Sequence, residues 1–196
     1  MRIWNSLLLA GCLTALAACA SSSETRATAD ACPANCPFAS IADAIAVIGP
    51  TRGTNSHVSG TVRFTQVEGG CHVVADIDGL KPNAKHGFHV HELGDPTGDG
   101  KTVGGGHYNP GGHQHGAPDA PMRHAGDLGN LETDDKGHAH YDRVIAGMSV
   151  ARGGDPVLGR SVLVHAGEDD LMTQPTGNAG ERVGCGVIGV AKPAAK

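Results

Sequence analysis

At 196 residues the chain has the length of one domain with short accessories. Thirty glycines and only 3% aromatic residues favour a turn-rich β architecture over a helical bundle. A formal net charge of -5, with no basic run anywhere, excludes the electrostatic footprint of a nucleic-acid partner.

Residues 1–18 read as an export signal: Arg2 precedes an apolar run from Leu7 to Ala18 that is too short to span a bilayer comfortably. Leu16-Ala17-Ala18-Cys19 resembles the lipobox of bacterial lipoproteins, in which the cysteine is lipid-modified and becomes the mature N-terminus. The alternative is an ordinary secretory signal with a chance cysteine. Ser21-Ser22-Ser23-Glu24-Thr25 is polar and suits a tether, so residues 19–40 read as a flexible, cysteine-containing lead into a domain at 41–196. With Ala20 after Cys19, the resemblance implies a lipid anchor in the cell envelope, on the outer membrane facing the periplasm. That anchor would be the chain's one membrane contact.

The body of the chain reads as strands. Residues 44–48 are apolar and end at Gly49-Pro50; 57–64 and 72–78 alternate around a Gly69-Gly70 turn. Residues 128–132 and 138–144 flank the turn Asp134-Asp135-Lys136-Gly137, and 160–165 and 184–190 complete the set. About eight strands with no helix after the signal predict an all-β sandwich or barrel.

Residues 86–127 interrupt this pattern. If Phe88 to Glu92 is extended, His89 and His91 present two imidazoles on one face. From Gly94 to Gly126 no apolar period survives, and ten Gly and four Pro fill thirty-three positions. So long an unpatterned loop needs something other than an apolar face to order it. His107, His115, His124 and Asp127 are ligand types that suit zinc or copper. His165 closes an apolar strand, and Arg182 is the only cation after it until Lys192. Beside a metal, a lone arginine is a docking group for a small anion.

Five blocks, in order, are similar to the motifs of copper/zinc superoxide dismutases: Gly87-Phe88-His89-Val90-His91-Glu92, Gly105-Gly106-His107-Tyr108-Asn109-Pro110, His124-Ala125-Gly126-Asp127-Leu128-Gly129-Asn130, Leu163-Val164-His165, and residues 177–189. The resemblance covers about residues 44–192 and implies an eight-stranded Greek-key β-barrel with long metal-binding loops. By position it implies copper on His89, His91, His107 and His165, and zinc on His107, His115, His124 and Asp127. His107 would bridge the metals and carry a proton, Asp169 would join a copper histidine to a zinc histidine, and Arg182 would receive the superoxide anion. The implied activity is dismutation of superoxide to dioxygen and hydrogen peroxide by a copper redox cycle. The alternative on the same fold is a copper-binding or storage module without efficient turnover. His113, two residues before His115, is a competing ligand, and His57, His72, His138 and His140 read as surface residues.

The chain departs from the family at Lys101, where a cysteine is usual, although its usual partner is present as Cys185. Four cysteines, Cys32, Cys36, Cys71 and Cys185, remain for pairing in an oxidising compartment. An unpaired thiol near copper is a liability, so Cys185 is expected to be bridged. The favoured arrangement takes Cys32 and Cys36 across the barrel to Cys71 and Cys185; the other pairs Cys32 with Cys36. Oligomeric state is not legible.

Overall fold

The computed structural model describes residues 40–192. A meander opens it: β1 (Asp43–Pro50), β2 (Ser59–Val67) and β3 (Gly70–Asp78) pair antiparallel in turn. Period-two alternation builds all three. Ala44, Ala46 and Ile48 of β1 face inward while Val47 lies 71% exposed, and Cys71, Val73, Ala75 and Ile77 of β3 are buried in the same way.

The chain then crosses to β4 (Lys85–His91), which pairs with β5 (Asp127–Glu132), before β6 (Ala139–Ala146) returns to lie on β3. Two short strands, β7 (Met148–Ser149) and β8 (Asp155–Pro156), pair with each other. A second crossing leads to β9 (Ser161–His165) beside β4, and β10 (Arg182–Val187) with β11 (Gly189–Val190) returns to β1. The strand order β5-β4-β9-β10-β1-β2-β3-β6 is the crossed order of a Greek key. The barrel closes where β5 meets β6, and Tyr141 Oη donates to the Leu128 carbonyl across that seam at 2.9 Å. The Phe88 and Tyr141 rings meet edge to face beneath it, 5.2 Å apart. The eight-stranded all-β expectation therefore stands, and no helix occurs among the described residues.

The core is on the inner face: Phe64, Ile77, Phe88, Leu131, Val162 and Ile188 belong to one cluster and are 1% exposed or less. Each such side chain contributes about 1.5–3 kcal/mol by leaving water. The barrel thus has a core that owes nothing to its metal-ligand residues. β4 and β9 differ from the meander in being buried on both faces. Their outward side chains lie beneath the loops at 92–126 and 166–181, and those outward positions carry the histidines.

Cys71 and Cys185 do not pair with each other, and neither has a disulfide partner among the described residues. Cys71 is fully enclosed in the core opposite Gln66, whereas Cys185 lies opposite Gly49 near the other end of β1. Thr65 opposes Asp43, so six or more residues separate the two along the barrel, about 20 Å at ~3.3 Å per residue. A bridge tolerates only about 7 Å between Cα atoms. Cys185 faces away from the core, where the metal loop offers it no cysteine, Lys101 standing at that position. Cys19, Cys32, Cys36 and the signal and tether readings lie outside the described residues.

Candidate metal centre

Strand register brings the first three imidazoles together. His89 opposes Leu163 and His91 opposes Ser161, so His89, His91 and, two residues past Leu163, His165 share the outer face of β4 and β9. The metal loop then adds itself to β4. Tyr108 N–H donates to Val90 O at 2.9 Å, Val90 N–H donates to Gly126 O at 2.9 Å, and Gly126 N–H donates to Tyr108 O at 2.9 Å. This triangle, with a bridge between His91 and His107, pulls Tyr108, just after His107, and Gly126, just before Asp127, onto the strand. Backbone pairing supplies the order that an apolar face does not.

Two groups of four buried ligands result, with the ligand atoms of each lying within 4.8 Å of one another. The first is His89, His91, His107 and His165; the second is His107, His115, His124 and Asp127. His107 belongs to both. Its Nδ1 lies 2.9 Å from Asp127 Oδ1 in the second group, while its Nε2 is buried without a partner.

Tautomers follow from the outward bonds. His91 Nδ1–H donates to Gly105 O at 2.9 Å, His165 Nδ1–H donates to Gly180 O at 3.1 Å, and His89 Nε2–H donates to Asp169 Oδ2 at 2.7 Å. That leaves His91 Nε2, His165 Nε2 and His89 Nδ1 as buried lone pairs with no partner, joined by His107 Nε2. Orphaned buried nitrogens cost free energy unless something binds them. Four that converge while their ring partners are fixed by carbonyls or a carboxylate fit a metal with its supporting hydrogen bonds.

The second group has the dimensions of a tetrahedral site. Asp127 Oδ1 lies 2.9 Å from His107 Nδ1, 3.0 Å from His115 Nδ1 and 3.3 Å from His124 Nδ1, and the Nδ1 atoms of His107 and His124 are 3.3 Å apart. A tetrahedron with ligands about 2.0–2.1 Å from its centre has edges of about 3.3 Å. The protonation preferences of these side chains conflict. Burial pulls His107 down to about 4, against its bond to Asp127. At His115 burial is outweighed by the neighbouring Asp127 and Asp169 carboxylates, which lift it to about 9. Burial at Asp127 is outweighed by the three imidazoles gathered around its carboxylate, which hold it well below the usual carboxylate range. Three nitrogens around one ionised oxygen make a cation site, and the donor set suits zinc.

Asp169, 1% exposed, accepts from His89 Nε2–H on one oxygen and from His115 Nε2–H at 2.9 Å on the other. It ties one member of each group to a single carboxylate. Asn130 fixes it in turn, accepting from Asp169 N–H at 2.8 Å and donating to Asp169 O at 2.9 Å.

Arg182 is half-buried at the start of β10. Its guanidinium donates to Lys101 O at 2.7 Å, Val103 O at 3.0 Å and Gly105 O at 2.9 Å, and its backbone N–H donates to Gly100 O at 2.9 Å. Arg182 therefore pins the metal loop to the barrel, at the place where the family's usual cysteine is replaced by Lys101. A cavity of ≈ 340 Å³ opens on His165, Arg182, Lys101 and Thr176. A larger one of ≈ 650 Å³ lies over Pro118, Arg123 and Val144 and contains none of the seven ligand residues, so size alone does not mark the site.

The remaining histidines separate cleanly. His57, His113 and His140 are exposed, and His72 and His138 are half-exposed in pairs with Asp142 and Asp78. His113 joins neither group. His86 is buried and donates from Nδ1 to His165 O at 2.8 Å. Gln174 and Gly105 were missed, since a backbone carbonyl or a loop amide leaves no periodic signal.

An antiparallel Greek-key barrel carrying two buried imidazole-rich groups on one outer face is a two-metal β-barrel protein. A sequence model described as copper/zinc superoxide dismutase (SODC) matches residues 58–188. The chain is 50% identical over 141 residues to the "Superoxide dismutase [Cu-Zn]" of Paramecium bursaria Chlorella virus 1, covering 69% of this chain and 74% of that one. It is 45% identical over 148 residues to the "Superoxide dismutase [Cu-Zn]" of Schizosaccharomyces pombe, covering 70% and 93%. Among solved structures, the clock protein EA4 superposes with a TM-score of 0.68 at 40% identity, covering 76% of this chain and 95% of that one. The chain belongs to the copper/zinc superoxide dismutase family, whose cofactors are copper and zinc.

Proposed function

We propose that the protein dismutes superoxide, converting two superoxide anions and two protons to dioxygen and hydrogen peroxide. His89, His91, His107 and His165 would hold copper, and His107, His115, His124 and Asp127 would hold zinc. The observation that carries this reading is His107, which directs one ring nitrogen into each group. Copper bound there would supply the one-electron redox couple, and zinc a fixed positive charge without redox chemistry.

His107 Nε2 is a buried nitrogen on the copper side, so it is the atom able to take up a proton and pass it to the departing product. Asp169 keeps the two groups in register and fixes the tautomers of His89 and His115. Arg182 commits three guanidinium N–H donors to loop carbonyls, which leaves two for an anion entering the cavity beside His165. Net catalysis distinguishes this from a copper-storage module. Metal-loaded protein should turn over many superoxide equivalents per copper, and Arg182→Ala should lower kcat/KM at least tenfold while both metals remain bound. Consumption that stops at one electron per copper would favour storage and sink the proposal.

We further propose export and lipid anchoring at Cys19 in the cell envelope, supported by the apolar run before it and the polar stretch after it. The protein should fractionate with membranes, and Cys19→Ser should leave it soluble or unprocessed. A soluble wild-type protein beginning at another residue would overturn the anchor.

A further inference from the structure

The last loop holds a side chain that the chemistry above does not use. Gln174 is exposed, yet its amide makes both possible bonds to the backbone of one residue. Oε1 accepts from His115 N–H at 2.7 Å, and Nε2–H donates to His115 O at 2.9 Å. A side-chain amide paired on both sides in this way imitates a strand partner, holding the N–H and C=O of His115 toward the same side. The same amide donates to Met172 O at 3.1 Å, so it is braced within its own loop.

That loop is itself closed. Asp170 N–H donates to Gly177 O at 2.9 Å and Gly177 N–H donates to Thr173 O at 2.7 Å, while Asp170 Oδ1 accepts from Met172 N–H and Thr173 N–H at 3.0 and 2.7 Å. Gly177 has φ of +65° and lies directly over the hydrogen bond between Asp169 and His115, where any Cβ would collide with both side chains. Residues 170–177 thus form a small rigid strap seated on His115. His115 sits on the metal loop, which has no disulfide among the described residues and is held at its other end by Arg182.

We propose that Gln174 is a positioning residue for His115, clamping the far end of the metal loop so that the second ligand group keeps its geometry and releases its divalent cation slowly. The inference rests on the assignment of zinc to that group. Outer hydrogen-bond partners of metal ligands typically alter metal affinity by about 10–100-fold when removed, and the clamp acts on the ligand's backbone.

The test compares wild type, Gln174→Ala and Gln174→Glu, the last keeping an acceptor for His115 N–H but losing the donor to His115 O. Zinc transfer to a chromophoric chelator should be at least tenfold faster from Gln174→Ala, with Gln174→Glu between it and wild type. Cobalt(II) substituted for zinc should show an altered d–d spectrum in Gln174→Ala, a change that mere loss of stability would not produce. Equal release rates and identical cobalt spectra in all three would overturn the clamp. Amide exchange separates this from failure of the site assignment. If wild type binds no zinc at this group, that assignment fails, yet His115 N–H in the metal-free protein should still exchange at least tenfold faster in Gln174→Ala. Unchanged exchange would overturn the clamp on its own.

Discussion

Cys71 and Cys185 illustrate how much a single residue owes to its neighbours. Burial raises the Cys71 thiol to about 12 and the Cys185 thiol to about 11, and Arg182 only partly offsets the latter. The thiolate is the reactive species. At pH 8 native Cys185 should therefore react with an alkylating reagent roughly a hundredfold more slowly than a free cysteine, and Cys71 should stay unlabelled until the protein unfolds. Peptide mapping of the unreduced protein checks this. Cys185 found in a disulfide with Cys32 or Cys36 would overturn this slow-thiol prediction and supply the bridge expected from the sequence. Arg182 makes the complementary point. One charged residue both faces the cavity and accounts for three loop hydrogen bonds, so truncating it removes an anion donor and a staple together. Lysine there would keep the charge and lose the fork.

Among the elements, legibility tracks how many faces are buried. β1, β2 and β3 bury one face, so their alternation is visible and their register follows from it. β4 and β9 bury both faces, one against the core and one beneath loops, and there the histidines at alternate positions are the visible signal. β7, β8 and β11 are two residues each, too short to leave any period. The loop at 92–126 reads as unstructured because its order comes from carbonyls: Val90, Gly126 and Tyr108 bond one another, and Gly105 O accepts from both His91 and Arg182. Gly105 has φ of +74°, which is open to glycine and aims that carbonyl at both donors.

For the molecule as a whole, gathering these imidazoles makes the metal-free fold sensitive to pH. Burial lowers His91 and His165 well below the usual histidine range, lowers His89, and brings His107 to about 4. In the unfolded chain all four titrate near 6.5. Below that pH the unfolded chain binds protons that the folded one refuses, so stability falls as pH drops from about 6.5 toward 4. His115 works in the other direction. Raised to about 9, it contributes stability that is complete below about 6.5 and is lost as pH rises through 9. The urea midpoint of the metal-free protein should therefore peak near pH 6.5 and decline on both sides, more steeply toward acid, since four groups act there and one acts above. Each tenfold difference in proton affinity between the folded and unfolded chain is worth about 1.4 kcal/mol. Bound metals would exclude these protons and flatten the curve until they leave. A midpoint that is level between pH 4 and 9 in the metal-free protein would contradict the burial of these groups.

The all-β class, the approximate strands, the resemblance to a family and the seven residues of the two groups were all legible in the chain alone, because period-two alternation and ligand residue types are local properties. Folding in three dimensions was needed to establish that Cys185 has no disulfide partner among the described residues, that Arg182 staples the metal loop, that His86 is enclosed behind His165, and that Gln174 grips His115. The last three depend on which backbone carbonyl or amide arrives beside a side chain from 59 to 81 residues away. Every residue carries those groups alike, so no pattern of residue types reveals the pairing until the barrel has closed.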